Sequence, residues 1–263
     1  MKHIIALAAL GIAALSPAAA APGQDDHPVI EFRQYKIVPG KRDAFTALFE
    51  SRFVESQEAL GMRLVGQFHD RADPSRFTWI RAFPSMAERG KALNDFYFGP
   101  VWQANRDAAN PMLDDNDNVL LLQPAWPGSA FAPPAGARPA PGASAAPAGL
   151  VVATIEYLWK EPQDYAAWFR ERLAPAYRAA GLPVIAAYIP ETQENNFPRL
   201  HVRQGERLFV WFTRVSGPAA YAAARRKLTA SREWRAAEPA RRNYRERAPQ
   251  VLMLAPTPRS LLR

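Results

Sequence analysis

The chain has 263 residues, a formal net charge of +8 and no cysteine. This length accommodates two domains of ordinary size, and the lack of cysteine excludes thiolate metal sites, iron–sulfur clusters and a cysteine nucleophile. The sequence also contains no Gly-rich phosphate loop, no Gly-x-Ser-x-Gly elbow and no His-Glu-x-x-His motif, which removes support for nucleotide-binding, hydrolase and zinc-protease functions.

The first 21 residues have the composition of a secretory signal peptide. Met1 and Lys2 precede an apolar run over residues 4–15, and small residues follow. We expect cleavage near Ala20 or Ala21, giving a periplasmic or secreted protein that begins with a polar leader at residues 22–28. An uncleaved membrane anchor is the alternative.

Residues 29–125 show the pattern of a four-stranded unit with two helices. Strand-like alternation and helix-like apolar stripes follow one another along this stretch. The order βαββαβ is that of a ferredoxin-like unit. In chain order, the predicted elements are a strand at 29–38, a helix at 41–60, strands at 62–69 and 77–83, a helix from Ser85 to about Asn110 interrupted at Gly99 and Pro100, and a strand at 119–123.

The rest of the chain repeats this order after a linker. Residues 126–149 are rich in Ala, Pro and Gly, which is typical of a semi-stiff linker that buries no apolar side chains. Residues 150–256 form the second, divergent unit, and 257–263 are a short tail. The predicted elements of the second unit are strands at 151–159, 184–189, 207–215 and 251–254, with helices at 163–180 and from Pro218 onward.

The two units are internal repeats in register. Trp79 and Trp102 recur 132 residues later as Trp211 and Trp234, and the apolar run at 119–124 recurs at 251–256. Gly61 and Gly181 are offset by only 120 residues, so the second unit carries a twelve-residue insertion. This insertion lies in the loop from Pro190 to Glu206.

A ferredoxin-like sheet with helices on one side leaves its other face uncovered. The two units cover these faces if their sheets pair into a closed or nearly closed barrel within one chain. We therefore predict an α+β fold of two tandem ferredoxin-like domains that form an intramolecular, pseudo-dimeric α/β barrel. The chain is then a monomer with an internal pseudo-dimer, or a dimer, and the barrel interior is the expected pocket for a small, mostly apolar ligand.

The first strand supplies candidate ligand-binding residues. Glu31, Arg33 and Tyr35 project from one face, where they would grip a polar group of the ligand if that face lines the barrel. The structural alternative is an internal ion pair, completed by Arg81 of the third strand, that only satisfies buried charge.

Several other side chains are candidates with structural alternatives. His69 would be a general base or heme ligand, as would His201, but neither has a companion at metal-ligand spacing. We therefore expect no metal and no cofactor, with heme as the lesser alternative. Trp79 recurs in both units, as core aromatics do. Phe96 and Tyr97, next to Phe98, lack counterparts in the second unit and are candidates for a ligand-facing aromatic patch.

The first unit resembles a known family. Glu31, Arg33 and Tyr35 followed by Pro39 and Gly40, Trp79, Glu88 with Arg89, Trp102 and the closing apolar strand are similar to a NIPSNAP domain of the dimeric α/β-barrel superfamily. The resemblance covers about residues 29–125 and is weak over 150–256, where only Glu156 and Tyr157 remain of the Glu-x-Arg-x-Tyr pattern. The resemblance implies the barrel fold. The members of this superfamily include cofactor-free monooxygenases, isomerases, heme-binding enzymes and proteins without a known reaction.

The positive charge lies in the second unit, chiefly at residues 225–247, which hold nine basic and three acidic residues. An exported protein does not meet nucleic acid, so a solvated helix face or a weak contact with an anionic membrane surface are the readings that remain. Three functions follow as hypotheses: a ligand-binding protein of the NIPSNAP type, a cofactor-independent monooxygenase, and a non-catalytic interaction protein that uses its basic second unit.

Overall fold

The computed structural model describes residues 26–132 and 135–263. The predicted signal peptide and residues 22–25 of the leader lie outside the described residues. Within the described part, no helix combines the length and the apolar character needed to cross a bilayer.

The first unit contains the predicted elements and one short strand that was not predicted, Leu113–Asp115. A π-helical turn at Phe49–Phe53 joins its first two helical segments, and the Ser85 hydroxyl caps the third helix by accepting from the Glu88 N–H at 3.1 Å. The predicted interruption at Gly99 and Pro100 is confirmed, because one helix ends at Tyr97 and the next begins at Pro100, with the proline in its first turn. The elements are β1 (Val29–Ile37), α1 (Arg42–Leu48), α2 (Val54–Glu58), β2 (Arg63–Asp70), β3 (Arg76–Phe83), α3 (Met86–Tyr97), α4 (Pro100–Ala109), the short and unpredicted β4 (Leu113–Asp115), and β5 (Val119–Pro124).

The second unit repeats this order. A π-helical turn recurs at Phe169–Leu173, and the long helix predicted from Pro218 is divided at Ser231, whose hydroxyl caps its second half. The elements are β6 (Leu150–Tyr157), α5 (Pro162–Trp168), α6 (Ala174–Ala180), β7 (Ala186–Pro190), β8 (Leu208–Val215), α7 (Pro218–Ala230), α8 (Arg232–Tyr244) and β9 (Gln250–Pro256).

Eight antiparallel strands close into one barrel in the order β1–β3–β2–β9–β6–β8–β7–β5, with β5 paired again to β1. Two pairings join the units: β2 with β9, where Asp70 lies opposite Leu254, and β5 with β7, where Leu122 lies opposite Pro190. The predicted intramolecular, pseudo-dimeric barrel is therefore confirmed.

Apolar side chains from all eight strands occupy the barrel interior. Phe32 of β1 packs edge-on against Phe212 of β8, with ring centroids 5.4 Å apart. The helices cover the outer face of each sheet, so most strands are buried on both sides. The interior cluster is Ile30, Phe32, Val65, Phe68, Ile80, Ala82, Leu120, Leu122, Phe131, Val151, Ala153, Ile155, Tyr157, Ala186, Tyr188, Leu208, Val210, Phe212, Leu252 and Leu254.

The segments outside the repeats also pack. Phe131 of the linker is buried against Phe212, contrary to the expectation that this segment buries no apolar side chain. Its N–H donates to the Tyr188 hydroxyl at 2.9 Å. In the tail, Ser260 is buried and the Leu262 N–H donates to the Val65 carbonyl at 2.8 Å.

We predict that Gly66→Ala destabilises the barrel by about 1–3 kcal/mol, because overpacking in a dense core forces strain. A Cβ at Gly66 would lie well inside contact distance of the Phe68 ring, which is fully buried in the interior, and against the Ser260 hydroxyl. Chemical denaturation would measure the loss. Gly136→Ala, where a Cβ meets nothing within 4 Å, is the matched control, and equal stability of the two variants would contradict this packing.

Candidate functional site

The predicted polar residues of β1 lie under the helices of the first unit. Alternation places Glu31 and Arg33 on the face opposite Phe32, which points into the barrel. They therefore do not line the barrel interior, contrary to the expectation. Trp79 and Arg81 of β3 pair with Arg33 and Glu31 and share this outer face.

The Glu31 carboxylate is surrounded by three arginines, and all four side chains are fully buried. Arg89 of α3 contacts Oε1 through Nε at 2.8 Å and Nη2 at 2.7 Å. Arg81 contacts Oε2 in the same two-pronged way, with both nitrogens at 2.7 Å. Arg33 adds a single bond from Nη1 to Oε2 at 2.6 Å. Arg81 and Arg89 therefore suffice to satisfy the carboxylate, and Arg33 is in excess.

The cluster carries more positive than negative charge. Burial alone would raise the pKa of Glu31, but the charges of Arg81, Arg33 and Arg89 together hold it well below its usual range. Burial and the neighbouring Arg81 and Arg33 charges lower the pKa of Arg89 in spite of Glu31. Three guanidinium groups against one carboxylate leave a buried excess of two positive charges among the described residues.

A cavity of about 70 Å³ adjoins this cluster between the sheet and the helices. The Arg33 guanidinium lies over the rings of Tyr35 and Trp79, 5.2 and 5.5 Å from their centroids, and both rings line the cavity. The complete lining is Tyr35, Phe45, Phe49, Phe53, Gln57, Trp79, Phe96, Tyr97, Trp102, Ala109, Asn110, Leu113, Asn116 and Leu200.

Several polar atoms in the cavity wall, and in Arg33 directly behind that wall, have unused hydrogen-bonding capacity. Arg33 Nη2 and Trp79 Nε1 are buried without a hydrogen-bond partner among the described residues. The Tyr35 hydroxyl accepts from Arg33 Nε at 2.9 Å, which leaves its own proton for another acceptor. Burial raises the pKa of Tyr35 to about 12 against the opposing charge of Arg33, so the phenol stays protonated at neutral pH.

The inserted loop of the second unit covers the site of the first. Asn195 and Asn196 accept hydrogen bonds from Arg89 Nη1 at 3.1 and 2.6 Å. Phe197 stacks on Tyr97 with ring centroids 5.6 Å apart. The loop therefore completes the first site. Gln57, Asn195 and Asn196 are site residues that no sequence pattern predicted. For Asn195 and Asn196, the twelve-residue insertion is the signal that could have located them.

The second unit has no equivalent charge cluster. Thr154 pairs with Trp211 as Arg33 pairs with Trp79, and Val152 pairs with Thr213 as Glu31 pairs with Arg81. By the same register Glu156 occupies the position of Tyr35, so it is not the counterpart of Glu31. Glu156 instead contacts Arg241 of the basic segment at 2.7 Å, and Arg241 also contacts Glu238 at 3.4 Å. Within the part of the chain that the structure describes, the candidate site is thus present once.

The remaining candidates are split between this site and other places. Phe96 and Tyr97 line the cavity, whereas the neighbouring Phe98 is 56% exposed. His69 lies apart, with its Nε2 2.8 Å from the Thr46 hydroxyl, and His201 is exposed in the inserted loop. Within residues 26–132 and 135–263, no three His, Cys, Asp or Glu side chains come together as metal ligands would.

The closed barrel of two ferredoxin-like units, with helices outside, is the architecture of dimeric α/β-barrel proteins. Residues 30–126, called the NIPSNAP domain below, match the family model of NIPSNAP, as the resemblance predicted. No curated protein matches the chain.

Solved structures similar to this chain include single chains that span both units. An anthrone oxidase-like protein is 12% identical, covers 89% of this chain and 92% of its own, and superposes with a TM-score of 0.56. A monooxygenase-like protein from Fusobacterium nucleatum is 10% identical, with 88% and 93% coverage and a TM-score of 0.53. A NIPSNAP family protein from Agrobacterium tumefaciens is 21% identical over 37% of this chain and 93% of its own, with a TM-score of 0.35. The first two likenesses show a shared fold.

Two substitutions in the cluster are expected to have opposite consequences. Glu31→Gln leaves three buried guanidinium groups without their counter-charge and should lower the free energy of unfolding by about 3–5 kcal/mol. Arg33→Met replaces the excess cation by an apolar side chain of similar length. It should leave the free energy of unfolding within about 1 kcal/mol of the wild-type value, or raise it. Denaturant unfolding measures both.

The control for these variants is Glu161→Gln, which breaks the exposed pair with Arg207 and should change stability by less than about 1 kcal/mol. If Arg33→Met destabilises the protein as much as Glu31→Gln does, Arg33 is a structural member of the cluster and not a surplus charge.

His69 is expected to make stability depend on pH in a defined window. Burial and the Arg42 charge lower its pKa from 6.5 to about 4. The unfolded chain then binds more protons between these values, so the free energy of unfolding falls as the pH drops from about 6.5 to 4. In His69→Gln, which keeps a donor for Thr46, this part of the pH dependence should disappear. An unchanged slope would show that His69 titrates normally.

Proposed function

We propose that the NIPSNAP domain binds a small, mostly apolar ligand with an anionic oxygen in the cavity between its sheet and helices. The observation that carries this proposal is the buried excess of positive charge behind an aromatic cavity. Among the described residues, Trp79 Nε1 in the cavity wall and Arg33 Nη2 behind the Tyr35 and Trp79 rings have no hydrogen-bond partner. Uncompensated buried charge is costly, and electrostatically perturbed groups cluster at functional sites.

The second unit supports this proposal by contrast. There, the buried Arg241 contacts two carboxylates, Glu156 at 2.7 Å and Glu238 at 3.4 Å, so its charge is matched within an aromatic core. A purely structural ion pair needs no more than this. The two additional arginines of the first unit therefore call for a different explanation, and an anionic ligand group supplies one.

The cavity size restricts how a ligand enters. Sites for drug-sized ligands have volumes of about 300–1,000 Å³, much larger than the 70 Å³ between the sheet and helices. A ligand larger than a few water molecules therefore requires movement of the covering side chains. The Phe197–Tyr97 stack and the Asn196–Arg89 bond are the contacts that such movement would break.

A cofactor-independent monooxygenase is the second candidate function, favoured by the fold shared with the monooxygenase-like and anthrone oxidase-like proteins. Arg33 would stabilise an enolate or phenolate oxygen, and protonated Tyr35 would donate to it. Among the described residues, the cavity lining contains no carboxylate or imidazole to act as a general base. A substrate would therefore need to be acidic itself, as anthrone is at its activated CH₂ group.

The test compares benzoate with its neutral analogue benzamide by isothermal titration calorimetry. Wild-type protein should prefer benzoate, and Arg33→Met should weaken benzoate binding at least tenfold and benzamide binding by much less, because a guanidinium binds a carboxylate more strongly than a neutral amide oxygen. Equal benzoate affinity in the wild type and Arg33→Met would reject the proposal.

Oxygen uptake with anthrone separates the two functions. Uptake that depends on Arg33 and falls in Tyr35→Phe supports the monooxygenase. Benzoate binding without oxygen uptake supports a binding protein.

A further inference from the structure

A second cavity lies at one end of the barrel, on the opposite side of the sheet from the Glu31 cluster. Its volume is about 530 Å³, within the range of about 300–1,000 Å³ that small-molecule sites occupy. Its floor is apolar and continuous with the barrel interior, formed by Val65, Phe131, Ile185 and Leu262.

Two of these floor residues come from segments outside the repeats. The linker contributes Phe131, which packs on Phe212 with ring centroids 4.9 Å apart. The tail contributes Leu262, which is hydrogen-bonded to β2 through the Val65 carbonyl.

Two arginines of the strands form a cationic rim above this floor. Arg214 follows Phe212 by two residues on β8, so both side chains belong to the interior face at the end of the strand. Arg63 lies opposite Ala82, also an interior residue, at the start of β2. Arg214 is exposed and donates to the Arg263 carbonyl, while Arg63 contacts the carboxylate of Asp26.

We propose that this cavity, the barrel-mouth site, binds an amphiphilic anion: a carboxylate or sulfonate on an unbranched or aromatic apolar body. The apolar body lies against Val65, Phe131 and Leu262, and the anionic head lies at the arginine rim, where it meets Arg214. An apolar floor with a cationic rim suits this class of ligand and disfavours its cationic analogues, since like charges at the rim repel. The site is distinct from the proposed function of the NIPSNAP domain and does not depend on it.

The test is isothermal titration calorimetry of the full chain with decanoate, below its micelle concentration, and with decyltrimethylammonium, which has the same chain and the opposite charge. Decanoate should bind at one site and at least tenfold more tightly than decyltrimethylammonium. Arg214→Gln should weaken decanoate at least fivefold. Leu262→Trp, which fills the cavity, should abolish binding. Arg178→Gln, an exposed arginine away from this cavity, should have no effect.

The outcomes also separate this site from the one in the NIPSNAP domain. Arg33→Met should leave decanoate binding unchanged, whatever it does to benzoate. Three results would each overturn the proposal. The first is that decanoate does not bind to the wild type, and the second is that decanoate and decyltrimethylammonium bind equally well. The third is that decanoate binding is lost in Arg33→Met and retained in Arg214→Gln. Thermal melts of every variant show whether it is folded. If Leu262→Trp does not fold, Ile185→Trp serves as a second cavity-filling variant.

Discussion

The pairings of β2 with β9 and of β5 with β7 are the constraint on which the rest of the structure depends. They join the two sheets edge to edge, so that one face of every barrel strand turns toward the interior and the other toward helices. Apart from Lys36 near its end, β1 then meets no solvent on either face, and Glu31 and Arg33 must be accommodated in a dry layer. The network of guanidinium groups around Glu31 is the result, since a buried carboxylate is tolerated only when it is fully paired.

Duplication within one chain allows the two units to differ. The first retains the charge cluster and the cavity, whereas the second replaces the corresponding positions by Val152, Thr154 and Thr213. The second unit contributes instead the loop that holds Arg89 and Tyr97 in place. A symmetric dimer would place the same loop over both sites, or over neither. The tandem arrangement thus combines one site with one cover.

The element order and the barrel could be predicted from the sequence because periodicity, the Gly and Pro breaks and the internal repeat all agree. The direction of the Glu31 face could not. Alternation separates Ile30 and Phe32 from Glu31 and Arg33, but where both faces of a strand are buried it does not say which face meets the helices. The role of Asn195 and Asn196 depends on a contact with Arg89, more than a hundred residues away along the chain. The burial of Phe131 depends on its contact with Phe212, although Phe131 lies in a segment of linker composition. Such tertiary contacts leave no local pattern.

The dependence of Arg89 on Asn195 and Asn196 has a consequence for the order in which the molecule is assembled. Synthesis proceeds from the amino terminus, so α3 emerges from the ribosome long before its partners in the inserted loop exist. Until then the guanidinium of Arg89 has a carboxylate on one side and water on the other. The cavity of the first unit is consequently a late product of folding, completed only when the second half of the polypeptide has been made and has returned to the first.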